Sequence, residues 1–187
     1  MSRSSLSLSV AALALALAAC SGGKNDGATA QGNSADADIS NKTIAASLDQ
    51  NGKFYQAAKA SGLDKTLAGP GPYTVLVADD AAFAKLPNAD QMMQPGARDE
   101  LTRILTYHIM PGAVLVADID KAIDNGKGKT LLPTMNGATL TATKEGGKIV
   151  LTDGAGTKAT LTGDDERFSN GVVHHIDSVL APTQAAR

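Results

Sequence analysis

The chain has 187 residues and a formal net charge of −2 at pH 7, with 17 basic and 19 acidic side chains. This near-neutral balance gives no electrostatic argument for binding nucleic acid, so we predict no nucleic-acid partner. Aromatic residues make up 3% of the chain and Trp is absent, which argues against a ligand site built from stacked rings.

Residues 1–19 have the pattern of a signal peptide. Arg3 is followed by an uncharged apolar run from residue 6 to residue 19, which has the length of a signal-peptide core but is short for a membrane span. The run ends in Leu17-Ala18-Ala19-Cys20, which resembles the lipobox of bacterial lipoproteins, where the chain is cut before the cysteine and its sulfur is acylated. We therefore expect lipidation at Cys20, the single cysteine of the sequence. The alternative is an ordinary signal peptide cut after Ala19, which would leave a free thiol.

Residues 20–38 are predicted to be the lipidated cysteine and a flexible tether. The segment has no large apolar residue and is rich in Gly, Ser, Ala and Asp, so it cannot bury enough surface to offset the entropy lost on ordering. Lipoproteins kept in the inner membrane usually have Asp after the cysteine; Ser21 therefore favours the outer membrane. The rest is predicted to form one domain, 39–182, and a short C-terminal tail, 183–187.

The first part of the domain carries helical patterns and two strand patterns. Apolar residues spaced three or four apart predict a series of amphipathic helices. They lie around residues 44–48, 54–58, 81–86, 101–108 and 119–123. Gly62 and Gly126 are expected to end two of them, and Asp118 is expected to cap the last. Apolar runs predict a buried strand at Tyr73–Ala78 and a short strand at 113–116.

The last third of the domain has a β-sheet pattern. Thr, Leu, Ile and Val alternate between Gly-containing turns, which predicts an antiparallel meander. Its strands are expected at 139–143, 148–152, 158–162 and 172–180. The acidic run Asp164-Asp165-Glu166 is predicted to be a solvated turn, with weak calcium binding as the alternative. Helices come first and a meander follows, so the predicted fold class is α+β.

The adjacent histidines His174 and His175 raise the question of a metal site. Side chains alternate across a strand, so the two rings are expected to point to opposite faces and not to share an ion. His174 falls in the more apolar row and is predicted to be a core histidine with a hydrogen-bonded ring. His175 shares its row with Asp177 and could pair with it. We predict no metal site.

The sequence carries no recognisable catalytic constellation. His108 continues the apolar stripe of its helix, so we predict a buried ring bonded to the backbone or to Tyr. No G-x-S-x-G motif accompanies it, and Cys20 is assigned to the lipid. We therefore predict no catalytic residue, no cofactor and a non-enzymatic protein.

Three segments resemble the signatures of the fasciclin domain. Residues 74–86 (TVLVADDAAFAKL) resemble the first signature, in which a threonine–valine strand runs into a helix. Residues 105–112 (LTYHIMPG) resemble the central Tyr-His motif, and residues 170–182 (NGVVHHIDSVLAP) resemble the closing signature. Residues 132–140 supply the Leu, Asn-Gly and strand between them. The match runs in the right order from about residue 39 to residue 182.

The resemblance implies an α+β wedge of two small β-sheets with several short helices packed alongside. It also implies a non-enzymatic domain of cell-surface proteins that mediates adhesion. The candidate interaction or fold-signature residues are Tyr107, His108, Asp165, His174, Ile176 and Asp177. Asp-Ile dipeptides and the Tyr-His region are implicated in integrin binding by animal members. Here Glu166 follows Asp165, which argues against that activity, and Ala78 replaces the proline usual after the first strand.

The tether, the single module and the resemblance together predict a lipid-anchored adhesion or interaction module of the bacterial cell envelope. Its expected partners are the membrane, through Cys20, and a matrix, polysaccharide or protein partner of unknown identity. The alternative is a carrier of an apolar small molecule such as a carotenoid or lipid. The expected location is the outer membrane, with the periplasmic and outer faces both open.

Overall fold

The computed structural model of the chain describes residues 40–86 and 89–183. Within these ranges the helices precede most of the strands. The helices are α1 Ile44–Ser47, α2 Lys53–Ser61, α3 Asp64–Ala68, α4 Asp80–Ala84, α5 Ala89–Met92, α6 Arg98–Tyr107 and α7 Val116–Asn125. The strands are β1 Tyr73–Ala78, β2 Ile109–Pro111, β3 Lys129–Pro133, β4 Thr139–Glu145, β5 Lys148–Thr152, β6 Lys158–Phe168 and β7 Gly171–Ile176. The arrangement confirms the α+β class.

The strands form one mixed sheet in the order β2-β1-β7-β6-β5-β4-β3. The β1–β7 pair is parallel, and the other neighbouring strands are antiparallel. Met135, just after β3, donates its N–H to the carbonyl of Ile109 on β2 at 2.7 Å. This bond links the two edges, so the sheet is nearly closed.

The prediction of two separate small sheets is wrong, because β6 belongs to both halves. This strand is 11 residues long. Its first residues pair with β5, and the rest pairs with β7. The register shifts between Thr162 and Glu166, where Gly163 has a φ of 77°; a bulge of this kind bends a strand without ending it. The acidic run predicted as a solvated turn therefore lies within β6.

The helices α2 and α6 form as their apolar spacing predicts. Phe54, Ala57 and Ala58 are the buried face of α2 together with Ser61, and the helix ends at Gly62 with a φ of 84°. A left-handed residue at this position is accessible to glycine at little steric cost. Helix α6 packs against α2. The buried residues of α6 include Leu101 and other apolar side chains of its predicted stripe.

The segment after α6 differs from the prediction. Residues 113–116 were expected to be a strand, but β2 is Ile109–Pro111 and α7 already begins at Val116. Thr74 on β1 explains this: its hydroxyl donates to the carbonyl of Gly112 at 2.7 Å and accepts the N–H of Val114 at 2.8 Å. One side chain thus satisfies a backbone carbonyl just before the segment and a backbone N–H within it.

The start of α7 and the end of β7 also differ from the sequence pattern. Asp118 caps α7 as expected, but from the first turn of the helix: Leu115 is the N-cap residue, and the Asp118 carboxylate accepts its N–H at 3.2 Å. The strand predicted at 172–180 ends at Ile176. The following residues are held by side chains, since Leu180 bonds to His108 and Ala181 to Asp153.

Among the residues that the structure describes, no helix is both long and apolar enough to cross a membrane.

Candidate functional site

His108 is a buried structural bridge between α6 and the C-terminal segment. Its Nδ1 lies 2.9 Å from the carbonyl of Ile104, and its Nε2 lies 3.2 Å from the N–H of Leu180. A carbonyl only accepts, so Nδ1 carries the proton and Nε2 accepts. Burial lowers the pKa of His108 to about 4 from 6.5, although the bond to Ile104 and the charge of Asp153 oppose this. The ring is therefore neutral at pH 7, with both nitrogens engaged.

Tyr107 is equally buried and ties α6 to the sheet. It is 1% exposed, and its hydroxyl donates to the carbonyl of Thr139 on β4 at 3.0 Å. Burial and the negative charge of Asp153 raise the pKa of Tyr107. A hydrogen bond with the Gly154 backbone lowers the pKa by a smaller amount. Burial and this hydrogen bond fix the Tyr107 side chain within the fold.

His174 and Asp165 are brought together by the β6–β7 pairing. The His174 side chain is 1% exposed, as its apolar row predicted, and its Nε2 lies 2.8 Å from the carbonyl of Val114. Its Nδ1 lies 3.2 Å from Oδ1 of Asp165, but without hydrogen-bond alignment, so Nδ1 has no hydrogen-bond partner among the described residues. The Asp165 carboxylate instead accepts the N–H of Val116 at 3.1 and 3.3 Å.

His175 and Asp177 do not pair with each other, contrary to the sequence expectation. The half-exposed His175 has its Nε2 3.3 Å from Oε1 of Glu166 on β6. Asp177 has left the strand, and its carboxylate accepts the N–H of Thr160 at 2.8 Å. Burial would raise the pKa of Asp177, but hydrogen bonds from Thr160 and Ser178 and the charge of Lys85 outweigh it and lower the pKa.

The structure thus places the candidate residues inside the fold more than on its surface. Tyr107, His108, His174 and Ile176 are buried, while Asp165 and Asp177 are partly buried and bonded to backbone N–H groups. Whether any of them contacts a partner stays a prediction. The lipidation site predicted at Cys20 lies outside the described residues.

Asn170 lies between β6 and β7 and bonds to two helical regions distant in sequence. Its Oδ1 accepts the N–H of Ile44 at 2.8 Å, and its Nδ2 donates to the carbonyls of Leu67 and Gly69, each at 2.8 Å. The Asn-Gly pair that opens the closing signature was the available signal. Gly171 beside it has a φ of 151°, and a Cβ there would lie 1.9 Å from the carbonyl oxygen of Tyr73.

Asp153 is a second structural residue that the sequence reading missed. It lies in the loop after β5 and is 6% exposed. Its Oδ1 accepts the N–H groups of Ala155 and Thr157 at 2.9 and 2.8 Å, and its Oδ2 accepts that of Ala181 at 3.1 Å. The turn after β5 and the end of the domain are therefore fixed to each other.

A groove of about 720 Å³ lies beside Asn170. We call it the proline groove. Its apolar lining includes Pro70, Pro72, Ala113, Leu115 and Phe168, and its polar lining includes Thr43, Asp118, Arg167 and Ser169. The peptide bond between Gly71 and Pro72 is cis, and a Cβ on Gly71 would lie 2.0 Å from the carbonyl oxygen of Asn170. Backbone packed directly on backbone therefore forms part of the groove.

A smaller cavity of about 350 Å³ lies near the start of α4. Its lining combines the rings of Phe54 and Tyr55 with several acidic side chains and one histidine. The ionisable residues of this second cavity are Asp49, Asp79, Asp80, Glu166 and His175. Two of the carboxylates already bond to backbone, since Asp49 accepts the N–H of Asn51 and Asp80 that of Lys53.

The mixed sheet and its surrounding short helices define an α+β domain, and comparison with known proteins identifies its family. Residues 49–182 match the model of the fasciclin domain, and the chain belongs to that family. This confirms the resemblance seen in the three signature segments.

Three similar proteins illustrate the range of the family. Protein sll1483 of Synechocystis sp. is 33% identical over 141 residues, which cover 74% of this chain and 71% of that protein. Transforming growth factor-beta-induced protein ig-h3 of Sus scrofa is 30% identical over 129 residues, covering 69% of this chain but 17% of that protein. The solved structure of a FAS1 domain pair from the insect cell adhesion molecule Fasciclin I has a TM-score of 0.53 and 28% identity, covering 68% of this chain and 44% of that one.

Proposed function

We propose that this protein is a non-enzymatic interaction module of the bacterial cell envelope, held to the membrane by a lipid on Cys20 and binding a matrix, polysaccharide or protein partner. Family membership supports the interaction role, since a fasciclin domain pair occurs in an insect cell adhesion molecule. The sequence pattern at residues 1–20 supports the anchor.

The main support for a non-enzymatic role is that the signature side chains Tyr107 and His108 bond within the fold. Both nitrogens of His108 are hydrogen-bonded within the fold, and the hydroxyl of Tyr107 is bonded to β4. A general base must reach the proton that it removes from a substrate, and the buried His108 ring is not placed to do so. The signature therefore stabilises a scaffold, whose outer surface is left for binding.

Attachment of cells tests the proposal. A strain lacking the gene is complemented with the wild-type protein or with Cys20→Ser, and adhesion to surfaces and biofilm formation are measured. We expect the deletion to lower attachment, the wild type to restore it and the unanchored variant to fail, because acyl chains supply the membrane-binding free energy. Unchanged attachment in the deletion strain across several surfaces would contradict the adhesion role.

The proline groove favours a second candidate function, the carrier of an apolar small molecule. Its volume of about 720 Å³ lies within the range of roughly 300–1,000 Å³ typical of small-molecule sites. Apolar side chains such as Leu115 and Phe168 would contact the ligand. Organic extraction of protein purified from its native host tests this, and a colourless, lipid-free preparation would count against it.

Matched tryptophan variants locate such a ligand. Ala113→Trp would fill the groove, whereas Ala60→Trp places the same ring on an exposed position of α2, outside the groove lining. Loss of the extracted ligand from the first variant alone would assign it to the groove. Retention of the ligand in both variants would place it elsewhere.

A further inference from the structure

The buried ring of His174 lies between two oxygen atoms. Nε2 is 2.8 Å from the carbonyl oxygen of Val114, and Nδ1 is 3.2 Å from Oδ1 of Asp165. A neutral imidazole has one N–H, and the carbonyl requires it at Nε2. The lone pair of Nδ1 then faces a carboxylate oxygen, which is unfavourable in a buried site. This explains why, within residues 40–86 and 89–183, Nδ1 has no hydrogen-bond partner.

A protonated ring would match both oxygens. The imidazolium has an N–H at each nitrogen, and a small rotation would align Nδ1–H with Asp165 as a charge-assisted hydrogen bond. Burial opposes the charge and lowers the pKa of His174, while the bond to Val114 and the charge of Asp165 raise it. The positions of the two oxygens thus suit the charged ring better than the neutral one. Because burial lowers the pKa of His174, the ring takes up a proton only in acid.

These two side chains hold the backbone of the segment that leads into α7. His174 holds the carbonyl of Val114, and Asp165 holds the N–H of Val116. The residues that alternate with these, Ala113 and Leu115, line the proline groove. One wall of the groove is therefore fastened to the sheet by the pair.

We propose that His174 and Asp165 form a proton-operated clasp that sets how firmly residues 113–116, and with them one wall of the proline groove, are held against the sheet. When His174 is neutral, the ring holds Val114 but repels the carboxylate that holds Val116. When His174 takes up a proton, its ring donates a hydrogen bond to the Asp165 carboxylate. The bonds to Val114 and Val116 then belong to one continuous hydrogen-bonded network. This inference does not depend on what the groove or the outer surface binds.

Among the ionisable groups near the His174 ring, Asp165 is the carboxylate that faces Nδ1. On β7, His175 pairs with Glu166 of β6, and its positive charge would oppose that of His174. Arg167 follows on β6, and Asp118 at the start of α7 bonds to the N–H of Leu115. The segment 112–115 has no ionisable side chain. On β1 the only ionisable side chain is that of Tyr73, the first residue of the strand.

NMR on the protein as its native host produces it, purified in detergent micelles, tests the clasp. The ring signals of His174 and the amide signal of Val116 are followed from about pH 7.5 to about pH 4.5. We expect both to shift with one common midpoint below 6.5. Amide exchange of Val116, corrected for its intrinsic pH dependence, should slow across the same midpoint. If His174 stays neutral until the protein unfolds, or titrates while Val116 does not respond, the proposal is overturned.

Two variants separate the clasp from a general acid response. In Asp165→Asn the side-chain amide can donate to the bare Nδ1 of neutral His174 while its oxygen still accepts from Val116, so we expect Val116 to lose its acid-dependent change. His175→Gln removes the neighbouring imidazole, and the signals of His174 and Val116 should still shift with one common midpoint. A Val116 response that persists in Asp165→Asn would refute the clasp, and the wild-type titration decides the question should that variant fail to fold.

Discussion

Replacing His108 with Ala should destabilise the protein at neutral pH and have progressively less effect in acid. The substitution leaves the carbonyl of Ile104 and the N–H of Leu180 without their partners. An unsatisfied buried polar group costs about 1–3 kcal/mol, and the lost ring leaves a cavity beside Phe54, whose ring centre is 6.3 Å away. Some relaxation and water entry offset this, so we expect a loss of about 2–4 kcal/mol in the free energy of unfolding at pH 7.

The pH dependence follows from the pKa of His108, which is about 4 in the folded protein against an ordinary value of 6.5. Between these two values the unfolded chain binds more protons than the folded one, so wild-type stability falls as the pH falls. Above pH 6.5 the histidine contributes no pH dependence. At about 1.4 kcal/mol for each pH unit, the loss reaches about 3 kcal/mol near pH 4. The Ala variant lacks this loss, so the gap between the two proteins should nearly close near pH 4.

Urea unfolding followed by far-UV circular dichroism at several pH values between about 4 and 7.5 measures this gap by linear extrapolation. Other groups that titrate, including His174, are present in both proteins and cancel in the difference. His175→Ala is the matched control, because it removes a half-exposed histidine and should alter stability by no more than about 0.5 kcal/mol. A gap of 2–4 kcal/mol that stayed constant from pH 7 to pH 4 would refute the assignment of a neutral, fold-holding His108.

Three further predictions concern other positions. Asn170→Ala removes three hydrogen bonds, two of them buried, and should cost about 3 kcal/mol, whereas the exposed control Asn51→Ala should leave the thermal midpoint almost unchanged; equal midpoints would contradict the bridging role. Gly171→Ala places a Cβ 1.9 Å from a carbonyl oxygen and should prevent or severely weaken folding, while Gly96→Ala, with open space around it, should be tolerated in the same circular dichroism assay. Cys20→Ser should move the protein from the membrane fraction to the soluble fraction of lysed cells, and a variant that still sediments with membranes would argue against the lipid anchor.

The local sequence pattern was sufficient to predict the position of several helices and strands. The apolar stripes of α2 and α6, the β-branched run of β1 and the alternating residues of β4 and β5 all gave elements at the expected places. These periodicities determine which side of an element can be buried, and they hold wherever the element packs. The same reasoning gave the burial of His108 and His174, because each lies in an apolar row.

The misread segments are those whose backbone is satisfied from far away in sequence. Residues 113–116 are apolar enough for a strand, but side chains distant in sequence take their backbone hydrogen bonds. Thr74 accepts the N–H of Val114, His174 bonds to the carbonyl of Val114, and Asp165 accepts the N–H of Val116. The acidic run of β6 has the composition of a turn, yet it lies within a strand: Asp164 and Asp165 fall in the register shift near Gly163, and pairing with β7 resumes at Glu166.

The sequence by itself determined the fold family, the positions of elements such as α2, α6, β1, β4 and β5, and the burial of the signature histidines, since these depend on periodicity and on short motifs that each lie within one segment. Only the tertiary structure decided that the sheet is continuous, that Asp165 faces His174 and that a groove lies beside Asn170. Each of those features arises where segments distant in the chain meet. Their geometry is set by hydrogen bonds and backbone contacts that no local pattern encodes.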